Sequence, residues 1–218
     1  FLRNVGEESR RLSESAEGLV AWLDSGGELC LVDRETGTET VLAEAEVIMS
    51  GWGMAKLDEA FLAAAPRLKA VFYGAGTIKY FMTDTAWDRG ILVTSAYAAN
   101  AIPTAEFALA QILYALKRGW FYVRAIEREG RYPKRTPVPG AYGSKVGLIS
   151  LGMIGRYVAK LLQNFDVEVW AYTSSAEKAS RLGARQASLD EIFSQCDVVS
   201  LHTPWIPETV GMITASQL

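Results

Sequence analysis

Three features of the chain predict an α/β protein built around a mainly parallel sheet. Six short apolar runs recur along it, each separated from the next by a helix-like pattern. One junction, from Val146 to Arg156, reads as strand, glycine turn and amphipathic helix. That order presents free backbone N–H groups and a helix dipole to a pyrophosphate. A long helical pattern from Asn100 to about Arg118 divides the chain into two blocks. Alternation of this kind gives a doubly wound sheet covered by helices on both faces.

Each element has its own signal. The first 45 residues support no assignment beyond a polar, glycine-containing turn over 33–40. Strands are expected at 46–49, 69–73, 91–95, 145–150, 168–172 and 197–201, where apolar residues run together. A helix over 57–65 stops at Pro66, and a short one over 83–89 stops at Gly90. The long helix takes Asn100 as its N-cap and tolerates Pro103 in its first turn. It continues through Phe107, Ile112, Leu113 and Leu116. Residues 124–144 are rich in charge, glycine and proline and read as a surface linker, although one this long more often docks on a partner. The helix over 153–163 places Ile154, Val158, Leu161 and Leu162 on one face. The last helix, over 188–194, begins with Ser188 and has Glu191 three residues on, a capping box.

Composition narrows the function classes. Half of the 218 residues are hydrophobic, enough for a substantial core. The net charge is −3, so no basic excess points to nucleic acid or to an anionic membrane surface. No apolar run approaches the roughly 18 residues of a membrane span. Two distant cysteines, Cys30 and Cys196, and a single histidine form neither a metal-ligand cluster nor a disulfide framework. A reducing, cytoplasmic setting is expected.

The glycine turn carries the most chemistry. Gly152 lets the backbone come close to phosphate oxygens, with the amides of Met153 and Ile154 beside it. Gly155 lets the helix pack tightly on the strand. Ser150 stands where a G-x-G-x-x-G turn has its first glycine, and a small serine fills that place at some conformational cost. Thr173 and Ser174 follow the next strand, where a carboxylate normally receives the adenosine ribose. Their hydroxyls, with Lys178 or Arg181 nearby, suit a 2′-phosphate. Alternatively, Ser174 caps the next helix. Gly74, Ala75, Gly76 and Thr77 follow a strand and offer a nest of amides fit for a carboxylate. The same residues also suit an ordinary βα turn. His202, at a strand end, has the appearance of a general acid–base group.

Four segments taken together resemble the D-isomer-specific 2-hydroxyacid dehydrogenase family, in its phosphoglycerate-dehydrogenase-like branch. They are Tyr73-Gly74-Ala75-Gly76-Thr77, Asn100-Ala101-Ile102-Pro103-Thr104-Ala105-Glu106, the glycine turn, and Asp197-Val198-Val199-Ser200-Leu201-His202-Thr203-Pro204 with Glu208-Thr209 behind it. The Ser50-Gly51-Trp52-Gly53 turn and Trp87-Asp88-Arg89-Gly90-Ile91 add to the likeness. The resemblance implies a flavodoxin-like substrate domain over 1–99 and the first half of a Rossmann nucleotide-binding domain over 100–218. It implies a dimerisation arm within 119–144, and hence a homodimer. Gly74–Thr77 would hold the substrate carboxylate, with Asn100 beside the cleft. Thr104, Ser150, Gly152, Met153, Ile154, Gly155, Thr173, Ser174, His202, Thr203, Pro204 and Thr209 would line an NAD or NADP site. Thr173, in place of the usual acid, tilts the choice toward NADP. The implied reaction is reversible reduction of a 2-keto acid to a D-2-hydroxy acid.

The family's catalytic arginine, glutamate and histidine are expected beyond Leu218, so no residue of this sequence takes a catalytic role. His202 matches a His-x-Pro turn on the cofactor side. The sequence departs from the family at Ile78, where an acid often stands, and at Met153, where arginine often stands. A chain that opens on Phe1 is expected to lack a start as well as an end. Two other classes fit less of the sequence: a non-enzymatic NAD(P)-sensing or corepressor-like protein on this fold, and a methyltransferase using S-adenosylmethionine.

Overall fold

A computed structural model of the chain describes residues 20–23, 29–32, 42–43 and 45–217. The turn expected over 33–40 lies outside the described residues. The chain divides into two compact units between Asn100 and Ala101.

The first unit holds a five-stranded sheet in the order β2-β1-β3-β4-β5. Its strands are β1 (Val20–Leu23), β2 (Leu29–Val32), β3 (Val47–Ser50), β4 (Ala70–Tyr73) and β5 (Leu92–Ser95). β3, β4 and β5 are parallel, with Ser50 opposite Tyr73 and Tyr73 opposite Ser95. β1 pairs antiparallel with both β2 and β3, an edge that sequence reading did not assign. Helix α1 (Glu59–Ala64) starts where the Asp58 carboxylate accepts from the Phe61 amide at 3.0 Å. Helix α2 (Asp84–Asp88) starts where Thr83 Oγ1 accepts from Ala86 N at 3.1 Å. The Arg89 guanidinium donates to the Leu62, Ala65 and Pro66 carbonyls and so ties the end of α2 to the end of α1. Ile48, Leu57, Val71, Phe81 and Ile91 form the core of this unit.

The long helix, α3 (Tyr97–Leu116), departs from expectation at both ends. Asn100 is not its N-cap. The alanine-rich stretch before it extends the helix one turn upstream, and the Asn100 amide donates to Ala96 O at 2.9 Å. Pro103 therefore lies inside the helix, where it removes one backbone donor. Downstream, Arg118 takes a left-handed conformation (φ 52°) and α4 (Gly119–Glu129) follows, closed by Gly130 at φ 62°. The first residues of the stretch read as a linker over 124–144 are thus helical. Arginine, glutamate and alanine are strong helix formers, and their charge disguised them as loop.

The second unit holds a parallel four-stranded sheet in the order β8-β7-β6-β9. The strands are β6 (Ser144–Ile149), β7 (Val167–Tyr172), β8 (Ala184–Gln186) and β9 (Val198–Leu201). Helices α5 (Met153–Leu162), α6 (Ala176–Arg181) and α7 (Leu189–Gln195) connect them. α6 and β8 went unassigned in the sequence. Ser175, not Ser174, caps α6, accepting from Lys178 N at 3.2 Å. The capping box of Ser188 and Glu191 is present at α7. Val146, Leu148, Val158 and Leu162 are fully buried between β6 and α5.

Gly147 faces α7 so closely that a Cβ there would overlap Ile192 Cγ2 and stand 3.2 Å from Cys196 Sγ. Gly147→Val should therefore destabilise the second unit by about 2–3 kcal/mol through overpacking. A lowered denaturant midpoint in chemical unfolding checks this.

Candidate functional site

The glycine turn links the buried strand β6 to α5. Ser150 carries φ 80°, the left-handed conformation that usually calls for glycine. Its carbonyl then points into the first turn of the helix, and a Cβ on Gly155 would run into that oxygen. Gly155 is buried for that reason. Gly152, the N-cap of α5, is different. Its backbone is extended, no side chain caps it, and a Cβ there would meet nothing nearer than Ser150 Oγ at 3.9 Å. The space in front of Gly152 is open. The amides of Met153, Ile154 and Gly155 belong to the first helical turn, which has no intrahelical acceptor for them. They converge on that space with the positive end of the helix dipole.

A cation missed in the sequence stands at the same turn. Arg156 Nε donates to Gly152 O at 3.2 Å, and Nη2 lies 3.9 Å from Met153 Sδ. The guanidinium folds back over the helix N-terminus beside Met153. Spacing along the helix was the available signal, since residues 152 and 156 are one turn apart.

Thr173 follows β7 immediately, and its carbonyl accepts from Gln186 Nε2 at 2.7 Å. Ser174 is exposed. Of the two basic residues on α6, Arg181 is paired with Glu177. His202 follows β9. Its amide donates to Ile149 O at 2.9 Å, and Nε2 lies 3.0 Å from Ser200 Oγ. Its Cβ stands 3.6 Å from where a Gly155 Cβ would be, so the imidazole shares the glycine turn. Burial holds its pKa below the ordinary value of 6.5 and favours the neutral ring. Thr203 is half-buried and Pro204 exposed. The Thr209 hydroxyl accepts from Ile206 N at 3.2 Å and bonds the Pro204 and Ile206 carbonyls. It braces this loop from within. Thr104 lies on α3, one turn beyond Asn100.

In the first unit, the turn after β4 is only partly the nest expected. Gly74 N donates to Ser50 O at 2.7 Å, so its amide is occupied. Neither Gly74 nor Gly76 has a positive φ. Both are small because of close approaches. A Cβ on Gly74 would stand 3.3 Å from Ser50 O, and one on Gly76 would stand 3.3 Å from Asn100 Nδ2. The amides of Ala75, Gly76 and Thr77 donate to no backbone carbonyl among the described residues. Three donors remain in the turn, with Asn100 against Gly76.

Residues 109–218 match the family model for the NAD-binding domain of D-isomer specific 2-hydroxyacid dehydrogenases. The chain belongs to this family. It is 37% identical to D-3-phosphoglycerate dehydrogenase of Mycobacterium tuberculosis over 166 residues, which are 74% of this chain and 31% of that protein. It is 32% identical to the Mycobacterium leprae D-3-phosphoglycerate dehydrogenase over 209 residues, 93% of this chain and 39% of that one. Among solved structures, the Aquifex aeolicus D-lactate dehydrogenase complexed with NAD and lactic acid superposes with a TM-score of 0.65 at 29% identity. That match covers 85% of this chain and 56% of the other. The chain thus spans less than two thirds of the length of these relatives.

Within the family's NAD-binding domain, His202 offers a pH readout. Its folded pKa is lowered, so below about pH 6.5 the unfolded chain binds the proton more readily. Stability should fall as pH drops through that range and level off under the folded value. His202→Gln should flatten that segment of the profile. Denaturant midpoints of both proteins between about pH 7.5 and 5.5 check the difference.

Proposed function

We propose that the protein interconverts a D-2-hydroxy acid and its 2-keto acid with a nicotinamide dinucleotide. The observation that carries this reading is the open α5 N-terminus, where three amides face free space in front of Gly152. A pyrophosphate fits there: it needs donors and close backbone approach, and the turn offers both. Met153, Ile154 and Gly155 would hold it through their amides, and Arg156 would supply the cation that Met153 does not. His202, Thr203 and Pro204 would flank the bound group, with Thr209 holding their loop in place. Ser150 would shape the turn. Thr104 would approach from α3.

When bound, the dinucleotide gives or takes the hydride at the carbon that bears the hydroxyl. Residues 1–99 would act as the flavodoxin-like substrate domain and 100–218 as the nucleotide-binding domain. The amides of Ala75, Gly76 and Thr77, with Asn100 beside them, would fix the substrate carboxylate. Gly74 would contribute by its close approach to β3 instead of by its amide. His202 bonds Ser200 and serves the cofactor side, so the proton exchanged at the hydroxyl is not assigned to it.

At the ribose end, Thr173 and Ser174 bring hydroxyls and no carboxylate, with Lys178 on the following helix. This favours NADP as the preferred form. The exposed Trp120, Phe121, Val123 and Ile126 on α4 and Tyr132 beyond it support a homodimer joined through 119–144. The paucity of cysteine supports a cytoplasmic location.

Gly152→Val tests the central reading. The backbone there is extended and the space open, so the variant should fold, at the modest cost of a poorer N-cap, and lose most of its NADH and NADPH affinity. Equal affinity in the folded variant, measured by calorimetry, would remove the pyrophosphate assignment. Thr173→Asp tests the ribose end. A carboxylate there should repel a 2′-phosphate and shift the NADH-to-NADPH affinity ratio at least about tenfold toward NADH. An unchanged ratio would show that Thr173 does not reach the ribose.

A further inference from the structure

The carbonyls at the end of β7 alternate between the strands on either side of it. Ala171 O accepts from Ala187 N, just beyond β8, at 3.0 Å. Tyr172 O accepts from Ser150 N, just beyond β6, at 3.0 Å. Thr173 O turns again to the β8 side, where the Gln186 side chain takes it: Nε2 donates at 2.7 Å. The C=O and N–H of a trans peptide point opposite ways, so Ser174 N–H faces the β6 side. Continued parallel pairing would give it Ser150 O as acceptor. Ser150 is left-handed, however, and its carbonyl enters the first turn of α5 instead. Ser174 is exposed, and its N–H has no acceptor among the described residues. The glycine turn that opens α5 thus also strips the β7 ladder of its last acceptor, and the donor left over faces that turn.

We propose that Gln186 is a positioning residue for the adenosine end of the dinucleotide. It holds the Thr173–Ser174 peptide so that Ser174 N–H donates to the 2′-substituent of the ribose, a phosphate above all. The proposal rests on the reading of the α5 N-terminus as the pyrophosphate site. Two observations support it. First, residues 173 and 174 form a short link held at both ends. Gln186 fixes the Thr173 carbonyl, and Ser175 caps α6 by accepting from Lys178 N. A donor on such a link is oriented before the ligand arrives. Second, the link carries no like charge to oppose a phosphate. Thr173, Ser174 and Ser175 are neutral, Glu177 is paired with Arg181, and Lys178 forms no ion pair among the described residues. A hydrogen bond to an ionised acceptor is stronger than one to a hydroxyl, so the orientation of this amide counts most for a 2′-phosphate.

The test is an NMR titration of the isotope-labelled chain with 2′,5′-ADP and with AMP, which differ by the 2′-phosphate alone. Both should shift the Met153–Gly155 amides, and 2′,5′-ADP should shift the Ser174 amide much further than AMP does. Gln186→Met keeps the side-chain length at an exposed position and removes the donor. It should weaken 2′,5′-ADP roughly tenfold and AMP less than about threefold. A Ser174 amide that 2′,5′-ADP leaves unmoved in the parent chain overturns the proposal, whatever the variant does. Equal weakening of the two ligands, the mark of a link that has merely loosened, overturns it too, as does no weakening. In each of these cases shifts at Met153–Gly155 leave the pyrophosphate reading standing. Shifts at neither place overturn both readings.

Discussion

The approach of the Gly155 backbone to the Ser150 carbonyl sets the geometry of the second unit. Ser150 turns left-handed so that its carbonyl can enter the first turn of α5, and only a residue without a Cβ can receive it. That contact fixes how α5 leaves the sheet. The helix axis in turn decides where the Met153–Gly155 amides point. His202 reaches the same place from β9, its amide on Ile149 O and its Cβ against Gly155. Strand, turn, helix and the returning loop are thus registered by one close approach. A serine at φ 80° costs on the order of 1–2 kcal/mol, and the burial of β6 on both faces holds it there.

The elements that sequence reading recovers are those whose signals are local. Ser188 and Glu191 satisfy each other's backbone donors within four residues, so their capping box needs nothing from the rest of the chain. β3 to β7 and β9 stand out as short apolar runs, whereas β1, β2 and β8 went unassigned. The misses have tertiary causes. Whether Asn100 caps a helix or lies within one depends on whether Tyr97, Ala98 and Ala99 before it are helical, and the side chain is identical in either case. Residues 124–129 combine the charge of a linker with the helix propensity of α4, and the charge dominated the sequence reading. Ser174 and Ser175 are equivalent until the end of β7 fixes which one faces the Lys178 amide.

Backbone pairing redraws what the linear motifs suggest. Gly74 to Thr77 reads as a run of four donors, yet pairing of β3 with β4 carries Gly74 N onto Ser50 O and leaves three. Thr209 reads as a ligand contact, and its hydroxyl also closes its own loop. In both cases a polar group in a motif is drawn into the protein's own hydrogen bonding, which a linear motif does not record. Arg156 is the converse. It belongs to no recognised position, and the helical turn brings its guanidinium back over Gly152.

The two turns proposed as anion sites share one physical solution. Each places successive backbone amides at the carboxyl end of a parallel strand, Ala75–Thr77 after β4 and Met153–Gly155 after β6. Amide dipoles carry no proton to lose, so turns of this kind suit an anion even in a chain of net charge −3. The requirement falls on shape: a small residue wherever the backbone must come close, and freedom elsewhere. That is why Met153 and Ile78 can depart from the family's usual residues without loss of a donor. It also divides the labour. Under the proposed function, amides would recognise what every 2-hydroxy acid and every dinucleotide share, and they cannot be altered by changing a side chain. On that reading, discrimination among dinucleotides would fall to the hydroxyls after β7.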